Sequence, residues 1–127
     1  MHEALEQYIK ALNTCDFAEL KKCLREESVF YFTDRICVGV EEIRSYCEEG
    51  WAAIEDEKYW ADDVSYILQT EDVLVCTYKF NYAGYVNAKH VMGNVKATNV
   101  FAREGMGGPW KLLHEHLSRT DNRESIY

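Results

Sequence analysis

The residues best suited to acid–base chemistry are Glu115 and the two histidines beside it, His114 and His116. They lie in a predicted strand, Trp110–Arg119, in which alternate side chains face opposite sides. The strand therefore presents Glu115 on one face and both histidines on the other. Two histidines on one face could hold a metal, but no third ligand is evident and no cysteine pair accompanies them. We therefore expect structural histidines and no metal site.

Glu115 carries the more informative chemistry. If the face that carries Glu115 is buried, its carboxylate must be paired, or its pKa rises. Such a group is suited to act as a general base or to bind an amine. The alternative is structural, with Glu115 paired to a nearby Arg, Lys or Tyr. The sequence leaves both interpretations open.

The composition excludes several classes of function. A net charge of −8 over 127 residues argues against a nucleic-acid partner, because binding phosphate backbones requires a basic face. No run of about 18 apolar residues is present, so no membrane span is expected, and the polar N-terminus is unlike a signal peptide. The 5 cysteines are scattered without a CxxC pair, which is typical of reduced thiols in a cytoplasmic protein.

The elements that position these residues fall into a helical half and a strand half. Apolar residues at helical spacing predict helices at Ala4–Leu12, at Phe17–Leu24 after the N-cap Asp16, and at Val40–Ile54. Aromatic and β-branched residues predict strands at Ser28–Thr33, Tyr59–Thr70, Val73–Tyr82, Ala88–Arg103 and Trp110–Arg119. This order predicts an α+β fold. We expect one domain, residues 1–120, and a polar C-terminal tail, residues 121–127.

Three segments carry a resemblance to a known superfamily. They are Trp110 followed by His114-x-His116-x-Ser118, the helical segment Tyr46-Cys47-Glu48-Glu49-Gly50-Trp51, and the segment Tyr8-Ile9-Lys10-Ala11-Leu12-Asn13. In their order and spacing the chain resembles, from about Ala4 to Ser118, the nuclear transport factor 2-like superfamily. Its members include SnoaL-type polyketide cyclases, ketosteroid isomerases and the association (hub) domain of calcium/calmodulin-dependent protein kinase II.

The resemblance implies a cone-shaped α+β barrel, with the N-terminal helices packed in the concave face of a curved, mostly antiparallel sheet. The concave face would hold a pocket, where Tyr8 and Asn99 would donate hydrogen bonds to a ligand carbonyl. Glu115 would face the same pocket. The predicted ligand-binding residues are Tyr8, Tyr31, Phe32, Trp51, Tyr78, Phe80, Asn99, Phe101, Leu113, Glu115 and Leu117.

The general base of the isomerases corresponds to a position close to Phe32, which has no proton to exchange. A register slip would bring Tyr31 or Asp34 there, and Asp34 is the better base because a phenol titrates at about 10. Ketosteroid isomerase activity itself is therefore not expected. The predicted catalytic residues are Glu115, Asp34 and Tyr8.

Two main functions compete. The first is a dimeric SnoaL-like protein that binds a small, mainly apolar or aromatic carbonyl compound and, if it is an enzyme, transfers a proton without a cofactor. The second is a stand-alone, hub-like oligomerisation module, although the hub's acid-binding arginines correspond here to Tyr78, Asn99 and Leu117. A third has the pocket filled by the protein's own aromatic side chains. The predicted homodimer interface on the convex face comprises Lys79, Thr98, Val100, Leu112, His114 and His116.

Overall fold

The computed structural model of the protein describes residues 1–120, so the predicted tail at 121–127 lies outside the described residues. Three helices and six strands make up the described chain. In chain order they are α1 Glu3–Leu12, α2 Phe17–Lys21, β1 Leu24–Tyr31, β2 Ile36–Val38, α3 Val40–Ala53, β3 Glu55–Gln69, β4 Val73–Val86, β5 Lys89–Ala102 and β6 Lys111–Arg119.

The first two helices begin at polar caps. The His2 ring accepts a hydrogen bond from the Ala4 N–H at 3.0 Å, and the Asp16 carboxylate accepts one from the Ala18 N–H at 2.9 Å. Both satisfy amides that a helix leaves unpaired at its start. Helix α2 ends at Lys21, earlier than predicted, and Leu24 begins β1 instead. The apolar residues that predicted a longer helix therefore lie partly in the helix and partly where the chain enters the sheet.

All six strands form one curved, open sheet in the order β2-β1-β6-β5-β4-β3. Every neighbouring pair is antiparallel except β1 and β6, which are parallel. This pair brings the first long strand beside the last, so that Glu115 lies between Phe30 on β1 and Asn99 on β5. The predicted α+β fold with a mostly antiparallel curved sheet is confirmed. The short strand β2 was not predicted.

Irregular pairing interrupts three strands, β1, β3 and β6. On β6 the register shifts between the pairs Val100–His114 and Phe101–Leu112, which leaves Leu113 as an extra residue. On β3 it shifts between Glu55 and Lys58, where Asp56 adopts a φ of 52°. An extra residue of this kind forms a β-bulge, which bends a strand and changes the face on which the following side chains lie.

The hydrophobic core lies between the helices and the concave face of the sheet. Residues from both layers are fully buried, among them Leu5, Leu20, Ile43, Leu74 and Leu112 at 0% exposure. All five cysteines are free thiols, as the scattered spacing predicted. Within residues 1–120, no helix is both long and apolar enough to cross a membrane.

Candidate acid–base site

A cavity of about 310 Å³ lies between the concave face of the sheet and helices α1 and α3. Its walls are largely aromatic and aliphatic, and the protein's own side chains leave this space open. The lining residues are Tyr8, Leu12, Phe30, Phe32, Thr33, Tyr46, Cys47, Gly50, Trp51, Ile54, Glu57, Tyr59, Phe80, Tyr82, Val95, Glu115 and Leu117.

Glu115 sits on the inner wall of this cavity with 1% of its surface exposed. Its carboxylate oxygen Oε1 accepts a hydrogen bond from Tyr8 Oη at 2.8 Å and one from Asn99 Nδ2 at 3.1 Å. Tyr8 reaches it from α1, and Asn99 is its direct partner on β5. Two rigid elements therefore fix one oxygen of the carboxylate.

The second oxygen of Glu115, Oε2, accepts no hydrogen bond from residues 1–120. It is also not one of the side-chain atoms in these residues that are fully buried and lack a hydrogen-bond partner. Because Glu115 lines the cavity, this oxygen is the one available to a bound molecule. Burial raises the pKa of Glu115 to about 7, and the hydrogen bonds from Tyr8 and Asn99 limit the rise. Burial disfavours the charged form, while donors to a carboxylate favour it.

Behind Glu115 lies Tyr78, the diagonal neighbour of Asn99 on the concave face. The Asn99 Oδ1 and Tyr78 Oη atoms are both buried without a hydrogen bond in the described part of the chain. Burial also raises the pKa of the Tyr78 hydroxyl well above its ordinary value. Tyr78 therefore remains a neutral phenol at physiological pH.

A second carboxyl lies at the α3–β3 end of the cavity. Glu57 is 7% exposed, and its Oε1 accepts a hydrogen bond from Tyr59 Oη at 2.6 Å. Tyr59 Oη in turn accepts one from Trp51 Nε1 at 3.1 Å. Burial raises the pKa of Glu57 despite the hydrogen bond from Tyr59. The cavity therefore has a buried carboxyl at each of two places on its wall.

Cys47 is the thiol that lines the cavity. Burial raises its pKa, and the negative charge of Glu115 raises it further. Nucleophilic cysteines require a lowered pKa, because the thiolate is the reactive form. Cys47 is therefore an apolar wall residue in this site.

A SnoaL-like domain family matches residues 1–122. The chain belongs to the SnoaL-like domain family. No curated protein matches it by sequence.

Several solved structures share the fold of this SnoaL-like domain. A candidate calcium/calmodulin-dependent protein kinase II association domain from Xanthomonas campestris superposes with a TM-score of 0.80 at 17% identity, over 93% of this chain and 84% of that one. A nuclear transport factor 2-like superfamily protein from Salmonella enterica gives 0.80 at 14% identity, over 94% and 89%. A candidate dehydratase of the NTF2-like family from Streptomyces avermitilis gives 0.77 at 19%, over 92% and 91%. The predicted superfamily is therefore confirmed at the level of the fold.

The SnoaL-like domain brings together most of the residues predicted to bind a ligand. Six of them line the cavity: Tyr8, Phe32, Trp51, Phe80, Glu115 and Leu117. Asn99, Tyr78 and Phe101 are buried behind that wall, at 0%, 4% and 1% exposure. Tyr8 and Asn99 were predicted to donate to a ligand, but both direct their donors at Glu115.

Two of the residues predicted to bind a ligand lie elsewhere. Tyr31 is on the outer face, where its ring meets those of His114 and His116, because it is one residue out of phase with Phe30 and Phe32. Leu113 is the bulged residue of β6 and does not line the cavity. Neither belongs to the concave pocket.

Asp34, predicted as a possible base, is exposed in the turn between β1 and β2. Its Oδ1 accepts a hydrogen bond from Tyr46 Oη at 2.9 Å. Tyr46 lines the cavity and stacks on Phe32 with ring centroids 3.7 Å apart, whereas Asp34 does not line it. Asp34 therefore holds a wall residue rather than facing a bound molecule.

The residues predicted for an interface divide between the two faces. His114 and His116 lie on the face of β6 opposite Glu115, where Thr98 and Val100 are their partners on β5, and Thr98 pairs in turn with β4. Leu112 is the exception, since the bulge turns its side chain into the core at 0% exposure. Lys79 shares the outer face. Among residues 1–120, no His, Cys, Asp and Glu cluster could hold a metal ion.

Sequence reasoning missed the second carboxyl and the aromatic residues around it. Glu57, Tyr59, Tyr46 and Tyr82 all line the cavity. Alternation along β3 could have placed Glu57 and Tyr59 on one face, but the predicted strand began at Tyr59. The signal was present two residues upstream of the predicted boundary.

Proposed function

We propose that this SnoaL-like domain binds a small, mainly apolar or aromatic carbonyl compound in its cavity and that Glu115 transfers a proton next to the carbonyl. One observation carries this proposal. A carboxyl with 1% exposure lies on the wall of an aromatic cavity, and its pKa is about 7. A general base is most effective when its pKa lies near the working pH.

The chemistry requires the chain's own residues alone. Ionised Glu115 would take a proton through Oε2 from the carbon next to the carbonyl, and the electron pair of that C–H bond would move into an enolate. Where the substrate has a C=C bond next to that carbon, the enolate extends into it, and the protonated carboxyl would return the proton to the far carbon of that bond. Tyr8 and Asn99 hold Oε1 and so restrict the direction in which Oε2 points. This sequence is an isomerisation that needs no cofactor.

The fold neighbours support the same class of reaction. One of them is a candidate dehydratase from Streptomyces avermitilis, and elimination of water beside a carbonyl also begins with removal of a proton from the neighbouring carbon. The aromatic walls suit the body of such a substrate, since apolar burial supplies the binding free energy of small-molecule sites.

The test is proton exchange with 2-tetralone, a bicyclic ketone, in D2O. We expect the protein to accelerate replacement of the protons next to the carbonyl, followed by NMR. Glu115→Gln, which keeps an oxygen to accept from Tyr8 and Asn99, should lower the exchange rate about 100-fold or more. Glu55→Gln, at an exposed position of β3, is the matched control and should exchange like the wild type. Equal rates for wild type and Glu115→Gln would refute the proposal.

Self-association through the outer face is a second proposed property. Tyr31 is 40% exposed, and its ring lies 5.0 Å from that of His114 and 5.5 Å from that of His116. Such an exposed aromatic group is typical of interfaces, and a neighbour from Xanthomonas campestris is a candidate association domain. We expect a homodimer by light scattering and a monomer for His116→Asp. A stable wild-type monomer at micromolar concentration would contradict this expectation.

A further inference from the structure

Two hydrogen bonds at the α3–β3 end of the cavity run in one direction along a chain of three side chains. The proposed proton transfer does not use them. Trp51 Nε1 donates to Tyr59 Oη at 3.1 Å, and Tyr59 Oη donates to Glu57 Oε1 at 2.6 Å. An indole N–H is a donor only, and a phenol has one proton to give. Both protons are therefore donated to other residues of the protein. We call this series of two hydrogen bonds the relay, and it ends on the carboxylate of Glu57.

The carboxylate at the end of this relay keeps one oxygen for a ligand. Glu57 is more than nine-tenths buried, at 7% exposure, and it lines the cavity. Its Oε2 accepts no hydrogen bond from residues 1–120. It is also not one of the side-chain atoms in these residues that are fully buried and lack a hydrogen-bond partner. When ionised, a carboxylate can only accept. This end of the cavity therefore presents an acceptor that requires a donor from a bound molecule.

The surroundings of Glu57 supply aromatic faces in place of a countercharge. Trp51, Tyr59 and Phe80 line the same end of the cavity, and the Tyr59 and Phe80 rings lie 5.5 Å apart at 47°. Aromatic faces attract cations through the ring quadrupole, most strongly when the site is desolvated. A carboxylate among aromatic rings matches the chemistry that recognises an ammonium group.

Residues 1–120 offer this carboxylate no cation. The cavity wall contains no Lys, Arg or His among the described residues. Lys58, next in sequence to Glu57, is exposed. Arg35 lies over the Tyr46 ring at 4.9 Å and pairs with Glu49 at 3.2 Å. A buried carboxylate without a countercharge is costly even when one of its oxygens accepts a hydrogen bond, and a bound cation would lower that cost.

We propose that the Glu57 end of the cavity binds a protonated amine, so that the preferred ligand is a small aromatic carbonyl compound that carries an amino group. The ammonium would donate to Glu57 Oε2 and lie against the faces of Trp51 and Tyr59. This inference rests on the proposed use of the cavity for binding. It does not depend on the proton transfer assigned to Glu115.

Three probes with one bicyclic skeleton test the preference for charge. They are 2-aminotetralin, which is a cation at pH 7, the neutral 2-tetralone, and tetrahydro-2-naphthoic acid, which is an anion. Binding is followed by NMR through the indole N–H of Trp51, assigned with Trp51→Phe. We expect the amine to bind at least tenfold more tightly than the ketone and the acid to cause no shift. Amine affinity equal to or below that of the ketone would overturn the inference and leave the proposed function standing.

Two charge-matched variants locate the preference. Glu57→Gln keeps an oxygen to accept from Tyr59, and it should weaken binding of 2-aminotetralin at least tenfold, several times more than it weakens binding of 2-tetralone. Glu55→Gln removes one charge from the same strand outside the cavity and should change neither. Unaltered amine affinity in folded Glu57→Gln would overturn the inference. If this variant does not fold, the wild-type ranking of the three probes decides.

The outcomes separate this inference from the proposed function. Tight binding of the amine without any exchange of 2-tetralone would support the inference and refute proton transfer. Failure of every probe to shift Trp51 would refute both, because both require the cavity to admit a molecule of this size.

Discussion

The two carboxyls of the cavity are the same residue type and are both buried, yet their surroundings differ. Glu115 accepts from a tyrosine and an asparagine and lies on an interior strand, with β1 on one side and β5 on the other. Glu57 accepts from one tyrosine and lies near the start of the edge strand β3, beside a bulge. Two donors therefore fix the carboxyl on the interior strand. The carboxyl on the edge strand has one donor and follows a local backbone distortion.

This difference separates two kinds of chemistry. A carboxyl held by two donors and raised to a pKa of about 7 is suited to gain and lose a proton at fixed geometry. A carboxyl at the end of a one-way relay, among aromatic faces, is suited to accept from a cation. One cavity therefore offers a reactive position and a recognition position.

The largest expected effect is on stability against pH. The pKa of folded Glu115 is raised from 4.5 to about 7, so its contribution is complete below pH 4.5 and is lost as the pH rises through about 7. The full loss amounts to at most about 3 kcal/mol in the free energy of unfolding. Urea unfolding at pH 4.5 and pH 8 should show this decline in the wild type and much less of it in Glu115→Gln.

Glu57→Gln serves as the comparison in the same experiment. The pKa of Glu57 is raised in the same direction, so this variant should flatten the profile too, but less. Parallel profiles for the wild type and Glu115→Gln would show that Glu115 titrates normally in the folded state.

Each carboxyl has its own tyrosine donor, so removing one donor should change the pKa of its own carboxyl only. Tyr8→Phe removes a hydrogen bond that lowers the pKa of Glu115, so the midpoint of 2-tetralone exchange should move to higher pH. The variant should also lose about 1 kcal/mol of stability. Tyr59→Phe is the matched control and should leave the midpoint unchanged. A shift of equal size in both variants would mean that the two ends are not independent.

The smallest expected effect concerns the bulge that precedes Glu57. Asp56 has a φ of 52°, a conformation that a β-branched residue adopts at a cost of about 1 kcal/mol or more. Asp56→Val should therefore be destabilised by about that amount and bind 2-aminotetralin more weakly. Asp56→Gly should fold with no comparable loss, because glycine adopts this conformation freely. Thermal unfolding of the pair measures the difference, and equal stabilities would contradict a role for this backbone conformation.

The interior strands could be predicted from the sequence because their alternation is regular. Between His114 and His116 the two-residue period holds, so Glu115 was placed on the inner face and the histidines on the outer face. The resemblance to the superfamily added Tyr8, Trp51 and Asn99, which come from distant parts of the chain. No local pattern indicates that these side chains meet.

Two residues were misplaced or missed beside bulges, where the two-residue alternation of side chains between the faces of a strand is interrupted. Leu112 was predicted on the outer face, but the bulge at Leu113 turns it inward. Glu57 lies beside a bulge and outside the predicted strand, so alternation counted from Tyr59 never reached it. A bulge at a non-glycine residue such as Asp56 leaves little trace in the sequence, because the backbone conformation is imposed by the pairing of β3 with β4.

The most direct test of the account is the titration of Glu115 itself. Proteins labelled with ¹³C at the glutamate side-chain carboxyl would be titrated by NMR, and the Glu115 signal would be assigned by its absence in Glu115→Gln. We predict a midpoint at about 7. A midpoint near 4.5 would contradict the central claim, because Glu115 would then be an ordinary carboxylate that is ionised throughout the physiological range.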